Sequence, residues 1–254
     1  MRIEDAVAFV TGGASGLGEG VVRMVAGAGG RAAILDLPSS QGAERAQELG
    51  DAVAFFPVDV SDSDQVQSAV DAAAEHFGSA NLLVSCAGVS PAHRTVDRRG
   101  NLFPLDVFRR AIEINLIGCF DVVRHTARHM SANEPGEDGE RGLIVNVASI
   151  AAFEGQVGQT AYSSSKGGVA ALTLPLARDL ALWGIRVMTI APGIMDTPML
   201  AGVDEERRKG LVDLHVFPKR LGRPADFAAL VRTFAENTLL NGEVVRLDAA
   251  TRLA

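Results

Sequence analysis

The 254-residue chain holds one tyrosine, and one of its three lysines follows four positions later, in AYSSSKGG (161–168). From composition alone such a pairing arises roughly once in a hundred. Four residues make one helical turn, so on a helix Tyr162 and Lys166 share a face. A free phenol titrates near about 10 and is a poor base at neutral pH. A cation within about 4–6 Å favours the phenolate and lowers that value. A phenol so tuned can take a hydroxyl proton while hydride leaves the carbon, or return the proton in the reverse direction. Ser149 can hold the same oxygen by hydrogen bond. Taken alone, the pair reads equally well as a tyrosine anchored by a surface lysine.

A second cluster supplies what such chemistry needs. TGGASGLG (11–18) places Gly12, Gly16 and Gly18, with Ser15 and Leu17 between them, after an apolar run and before a helical one. Glycine is required where a side chain would keep backbone from a pyrophosphate, and the helix amino terminus then favours the anion. Asp36, twenty residues after Gly16, stands where an acid can bond the adenine ribose hydroxyls. Its carboxylate would repel a 2′-phosphate, and Leu37 rather than an arginine follows, so NAD is expected over NADP. An acid that merely ends a strand is the plain alternative. Asp59-Val60 can bracket the adenine ring, and Cys86-Ala87-Gly88 can approach the ribose.

These residues need a scaffold that gathers them. Short apolar runs at 6–13, 32–36, 53–60, 81–88, 142–149, 184–193 and 243–247 read as strands. Helical stretches lie between them at 16–28, 41–49, 62–77, 105–130, 160–182 and 224–236, with a polar segment over 197–216. The alternation predicts a Rossmann-type, doubly wound parallel α/β sheet of about seven strands, in one domain spanning 1–254. Ligands in such sheets bind outside the carboxyl ends of the strands, so the residues above should converge there. The loop 131–141, rich in Pro, Gly and acids, reads as a solvated surface loop.

Composition narrows the class further. Hydrophobic residues make up 47% and charged residues 22%, a globular balance, and the net charge of −7 speaks against nucleic acid as a partner. No run reaches the roughly 18 apolar residues of a membrane span. Two cysteines without metal-ligand spacing fit a reducing compartment, and with no signal peptide before the first apolar run a cytoplasmic protein is expected. His76, His125 and His129 read as surface residues. His93 and His215 lie near the expected site mouth without metal-ligand company, so no metal site is predicted.

TGGASGLG, the CAG at 86–88, Asn115, Ser149, Tyr162-x-x-x-Lys166 and Pro192-Gly193 resemble the classical short-chain dehydrogenases/reductases over essentially the whole chain. The resemblance implies Tyr162 as acid/base, Ser149 orienting substrate, Lys166 lowering the phenol pKa and holding the ribose, and Asn115 holding a relay water. It also implies that Ile194 and Thr197, beyond Pro192-Gly193, contact the nicotinamide carboxamide. ILDLPSSQG (34–42), NEPGEDGERG (133–142) and AAFEGQVGQTAYSSSKGG (151–168) are similar to a narrower family. These are the type 2 3-hydroxyacyl-CoA dehydrogenases, also called type 10 17β-hydroxysteroid dehydrogenases. That resemblance implies NAD-linked oxidation of an acyl-CoA substrate in a homotetramer, with Gln159 touching the substrate. The loop 131–141 matches an insertion of that family.

The rival enzyme readings are a 3-oxoacyl-carrier-protein reductase, which would normally use NADPH, and a hydroxysteroid or other secondary-alcohol dehydrogenase. A non-catalytic scaffold subunit is the alternative from another class. Three departures stand out. Ser85 replaces the usual asparagine, and Met195-Asp196 puts a carboxylate near the substrate lid, where it could alter substrate preference. Ala249 replaces a glycine after the last strand. Arg94, Arg98 and Arg99 could meet a CoA phosphate.

Overall fold

A computed structural model describes residues 1–253. Its strands are β1 Val7–Thr11, β2 Arg31–Asp36, β3 Val53–Pro57, β4 Leu82–Ser85, β5 Gly142–Val147, β6 Ile185–Pro192 and β7 Val244–Leu247. All seven run parallel in the order β3-β2-β1-β4-β5-β6-β7. The helices are α1 Gly16–Gly27, α2 Gly42–Leu49, α3 Ser63–Phe77, α4 Leu105–Ile112, α5 Cys119–Met130, α6 Thr160–Leu180, α7 Glu205–Asp213 and α8 Pro224–Glu236. The doubly wound α/β sheet expected from the alternation is the observed architecture. Among the described residues no helix is long and apolar enough to cross a membrane.

The central strands read as unbroken apolar runs because helices cover both faces of the sheet. Val21, Val22 and Val25 of α1 and Phe227, Val231 and Phe234 of α8 pack on one face. Val66 and Val70 of α3, Val122 and Val123 of α5 and Leu176 of α6 fill the other. Phe9 at the centre is fully buried, a position where truncation to alanine typically costs about 3–5 kcal/mol. Strand order reverses between β1 and β4, so the chain leaves these two strands toward opposite faces. A crevice opens at their carboxyl ends.

Several local expectations need correction. The span 105–130 is continuous but not uniformly α-helical, because Glu113–Gly118 form a π turn joining α4 to α5. β3 ends at Pro57, not Val60; Val58 N makes the last bond toward β2, at Asp36 O, and Asp59 N turns to Gln65 Oε1. The loop 131–141 is exposed over 134–139, as expected of a surface loop, but is anchored at its end. Glu140 pairs with Arg186 at 2.6 Å, both side chains being 8% exposed, and Arg141 Nη1 donates to Trp183 O. His215 is buried, not at the mouth, with Nδ1 against Arg220 O. His125 and His129 are half-buried beside Asp121 and Asp71.

Thr11, Ser85, Asn146 and Thr189 stand in register across four strands. In that buried row the Ser85 hydroxyl and Asn146 Nδ2 have no protein partner.

After β7, Ala249 and Ala250 both lie in the left-handed region, at φ 49° and 59°. That region costs an L-residue roughly 1–2 kcal/mol. Part of that gain is lost in the more flexible unfolded chain, so Ala249→Gly should stabilise the fold by about 0.5–1 kcal/mol. Thermal unfolding should show a rise of roughly 1–4 °C; an unchanged or lower midpoint would remove the strain from this turn.

Candidate active site

A cavity of about 530 Å³ runs along the carboxyl edge of the sheet, and its walls carry every candidate catalytic and dinucleotide-binding residue read from sequence except Asn115; Arg94, Arg98 and Arg99 also lie outside it. At one end lie Gly12, Ser15, Gly16, Leu17 and Gly18, the turn between β1 and α1. Two glycines there are obligatory. A Cβ on Gly12, at φ +63°, would stand 2.9 Å from Ala87 N, and one on Gly18 would stand 2.3 Å from Gly12 O. The first lets the loop approach the end of β4; the second lets α1 close onto the loop. The amino terminus of α1 is therefore free to face an anion in the cavity.

Asp36 closes this end. Its Oδ2 accepts from Ala14 N (3.0 Å) and its Oδ1 from Leu37 N (2.8 Å), which fixes the carboxylate against the glycine turn. Asp59 and Val60 line the next stretch, followed by Cys86, Ala87 and Gly88. Burial pushes the Cys86 thiol up to about 12, so it is a wall and not a nucleophile. Pro192, Gly193, Ile194 and Thr197 form the far wall after β6.

Ser149, Tyr162 and Lys166 meet at the other end, with Gln159 beside them. Ser149 lies just past β5 and caps a short 3₁₀ turn, its Oγ accepting from Ala151 N at 3.1 Å. Tyr162 and Lys166 occupy successive turns near the start of α6, as their spacing requires. Lys166 is 5% exposed. Its Nζ donates to Val147 O at 2.7 Å and lies 6.0 Å from the tyrosine ring centroid. The ammonium thus stands alongside the phenol without bonding to it.

The electrostatics of the empty cavity correct a simple expectation. Burial pushes the Tyr162 phenol above its ordinary value, and the hydrogen bond with Ser149 pulls back only in part. Burial likewise lowers the Lys166 ammonium, opposed by the nearby Cys119 and Cys86. The phenol is therefore not an acidic group in the resting protein.

Asn115 is the exception to the lining. It sits in the π turn behind the wall, where a Cβ on Gly88 would lie 3.1 Å from its Oδ1 and 3.5 Å from Lys166 Nζ. Its Oδ1 accepts from Val89 N (2.8 Å), and its Nδ2 donates to Val89 O and to Ser165 Oγ, both at 2.9 Å. Both amide hydrogens are committed, so the side chain clamps the β4 loop to α6.

Sequence reasoning missed the roof. Met199, Leu200, Leu211 and Leu253 line the cavity from the segment after β6, from α7 and from the end of the described chain. Asp196 is absent from the lining; its carboxylate pairs with Arg208 of α7 at 2.6 Å. The carboxylate expected near substrate instead ties the roof helix to the strand end. Arg110 on α4, which no motif flagged, also lines the cavity.

A glycine cradle at a helix start, an acid at the second strand and a Ser–Tyr–Lys group share one cleft of a doubly wound sheet. The chain belongs to the short-chain dehydrogenase family: residues 6–208 match the family described as short chain dehydrogenase. It is an oxidoreductase of that family. It is 49% identical to 3-hydroxyacyl-CoA dehydrogenase type-2 of Bos taurus, over 99% of this chain and 97% of that one. It is 50% identical to the Drosophila melanogaster protein of the same name, over 99% of both. A crystal structure of 3-hydroxyacyl-CoA dehydrogenase type-2 from Mycobacterium avium shows a TM-score of 0.94 at 43% identity, covering 99% of this chain and 98% of the other.

Proposed function

We propose that this enzyme oxidises 3-hydroxyacyl-CoA to 3-oxoacyl-CoA, reversibly, with NAD. The observation that carries the reading is the shared cavity, which sets the glycine cradle and Asp36 at one end and Ser149, Tyr162 and Lys166 at the other. The relatives just described supply the substrate class. The close-packed turn, which a Cβ on Gly12 or Gly18 would push apart, brings backbone and the start of α1 to the cavity as a dinucleotide pyrophosphate requires. A dinucleotide held there would supply a hydride acceptor and, in its oxidised form, a positive charge.

The protein's own groups do the rest. Ser149 holds the substrate hydroxyl, Tyr162 takes its proton, and Lys166 favours the phenolate while reaching toward the ribose. Asn115 keeps the β4 loop and α6 in register and so positions this group. A relay water would need a contact other than its committed amide hydrogens. Gln159 lies on the cavity wall where it can touch the acyl group. For the CoA phosphates, Arg94, Arg98 and Arg99 are exposed and make no ion pair among the described residues. Asp97 fixes their loop by accepting from Arg99 N and Asn101 N.

Asp36 supports NAD over NADP, because like charges brought together cost several kcal/mol. Wild type should prefer NAD by about 10²-fold or more in kcat/KM, on about 1.4 kcal/mol per factor of ten, and Asp36→Ala should erase most of that preference. Steady-state rates with both dinucleotides decide it; a wild-type preference for NADP would favour the carrier-protein reductase. Rates across short and medium 3-hydroxyacyl-CoAs and a steroid alcohol test the substrate class. Exposed apolar side chains at Ile117, Phe120, Leu174, Leu182 and Trp183 support a homotetramer. The free thiols of Cys86 and Cys119 support a reducing, cytoplasmic setting.

A further inference from the structure

The roof of the cavity is loosely built. From Thr197 to Leu214 no residue is buried, although the segment includes the whole of α7. A helix without a buried face gains little from packing and opens at small cost. Met199, Leu200 and Leu211 nevertheless line the cavity from this segment. Its far end is tied through two backbone carbonyls: Lys219 Nζ donates to Asp213 O at 3.2 Å, and Thr251 Oγ1 to Leu214 O at 3.3 Å. Toward the strand end, Arg208 pairs with Asp196 at 2.6 Å. Among the described residues this is the one ion pair that joins the segment to the rest of the chain.

The two partners differ in firmness. Asp196 N donates to Gly222 O at 2.7 Å, and Met195 before it is part of the buried core, so the carboxylate stands on a fixed post. Arg208, on α7, belongs to the part that can move. Its side chain is 33% exposed and that of Asp196 49%, and a pair so wet changes an equilibrium by about five-fold at most. On a well-packed helix such a factor would be invisible. On a roof without a buried residue it decides how much of the time the roof is shut.

We propose that Asp196 and Arg208 are positioning residues for chain-length selection: their pairing latches the roof over the cavity and favours acyl chains long enough to reach Met199, Leu200 and Leu211. The proposal rests on the acyl-CoA reading given above. A ligand gains from closure only as far as it binds the closed state better than the open one. A chain that reaches the apolar roof has that difference and loses affinity in proportion as the closed fraction falls. A chain too short to reach it is indifferent to the latch. Neither Asp196 nor Arg208 lines the cavity, so the chemical step should be untouched.

The test is the ratio of kcat/KM for 3-hydroxydecanoyl-CoA to that for 3-hydroxybutyryl-CoA. Asp196→Asn and Arg208→Met should each lower it by about 3–5-fold, through KM for the longer substrate. Turnover of 3-hydroxybutyryl-CoA and affinity for NADH should stay near wild type. The double variant should be no worse than either single one, because both remove the same pair. Asp196→Lys, which sets two cations side by side, should lower the ratio by about 10-fold, and adding Arg208→Glu should return it toward wild type. Raising the salt to about 1 M should bring the wild-type ratio down to that of the single variants and leave theirs unchanged. Both substrates carry the same CoA phosphates, so screening of those cancels in the ratio. If the single variants keep the full wild-type ratio, or lose both substrates equally, the latch is refuted while the acyl-CoA reading stands. If the reversed pair does not recover what Asp196→Lys lost, charge pairing is not the cause and the proposal fails. If wild type oxidises neither acyl-CoA, the acyl-CoA reading fails and this proposal with it.

Discussion

Tyr162→Phe should lower kcat for 3-hydroxyacyl-CoA oxidation by roughly 10²–10⁴-fold, the range expected for losing a general acid/base. The substitution removes one oxygen and leaves the ring in its place on α6, so NADH affinity should stay within a few-fold of wild type. Both readouts matter. A variant that lost activity and dinucleotide binding together would report a collapsed cavity, whereas the phenol's chemical role predicts lost turnover alone. Unchanged turnover would remove Tyr162 from the reaction. Because the tyrosine is the only one in the chain, no neighbouring phenol can substitute for it.

Lys166→Met should cost about two orders of magnitude in kcat/KM and should also move the pH profile. Taking the 6.0 Å from Lys166 Nζ to the ring centroid as the scale of separation, two unit charges at an effective dielectric of about 20 interact by about 3 kcal/mol, which corresponds to roughly 10²-fold in rate. The sign follows from burial. Because the buried phenol is already pushed upward, removing a cation beside it raises the phenolate's cost further. The basic form needed for oxidation then becomes available only at higher pH, so the rising limb of the oxidation profile should shift toward alkaline pH. The reduction direction, which uses the protonated phenol, should suffer less near neutrality. Equal losses in both directions with no shift would assign Lys166 to ribose binding alone.

Legibility in the sequence followed the range of the interactions. The glycine turn, the acid that ends β2 and the Tyr162–Lys166 spacing are local patterns, and alternation of apolar runs with helical ones was enough to place them on one sheet edge. Contacts made through space left no such trace. Arg110 reaches Asp59 across 51 positions, and Glu140 looks like loop composition until Arg186 arrives from β6 to pair with it. Leu211 on the charged helix α7 and Leu253 near the chain end join the cavity only through the path of the chain. The π turn at Glu113–Gly118 is equally silent, since its residues suit an α-helix. Most instructive is Lys166: spacing put it beside Tyr162 correctly, but only the structure shows its proton-donating bond going to Val147 O and burial controlling the resting phenol.

The central electrostatic claim can be tested on the phenol itself. With one tyrosine in the chain, tyrosinate absorbance followed against pH reports Tyr162 and no other group. In the unliganded wild type its midpoint should lie above that of a free phenol; saturating NAD should lower it, and in the NAD complex Lys166→Met should raise it again. A midpoint in that complex indifferent to Lys166→Met would contradict the account.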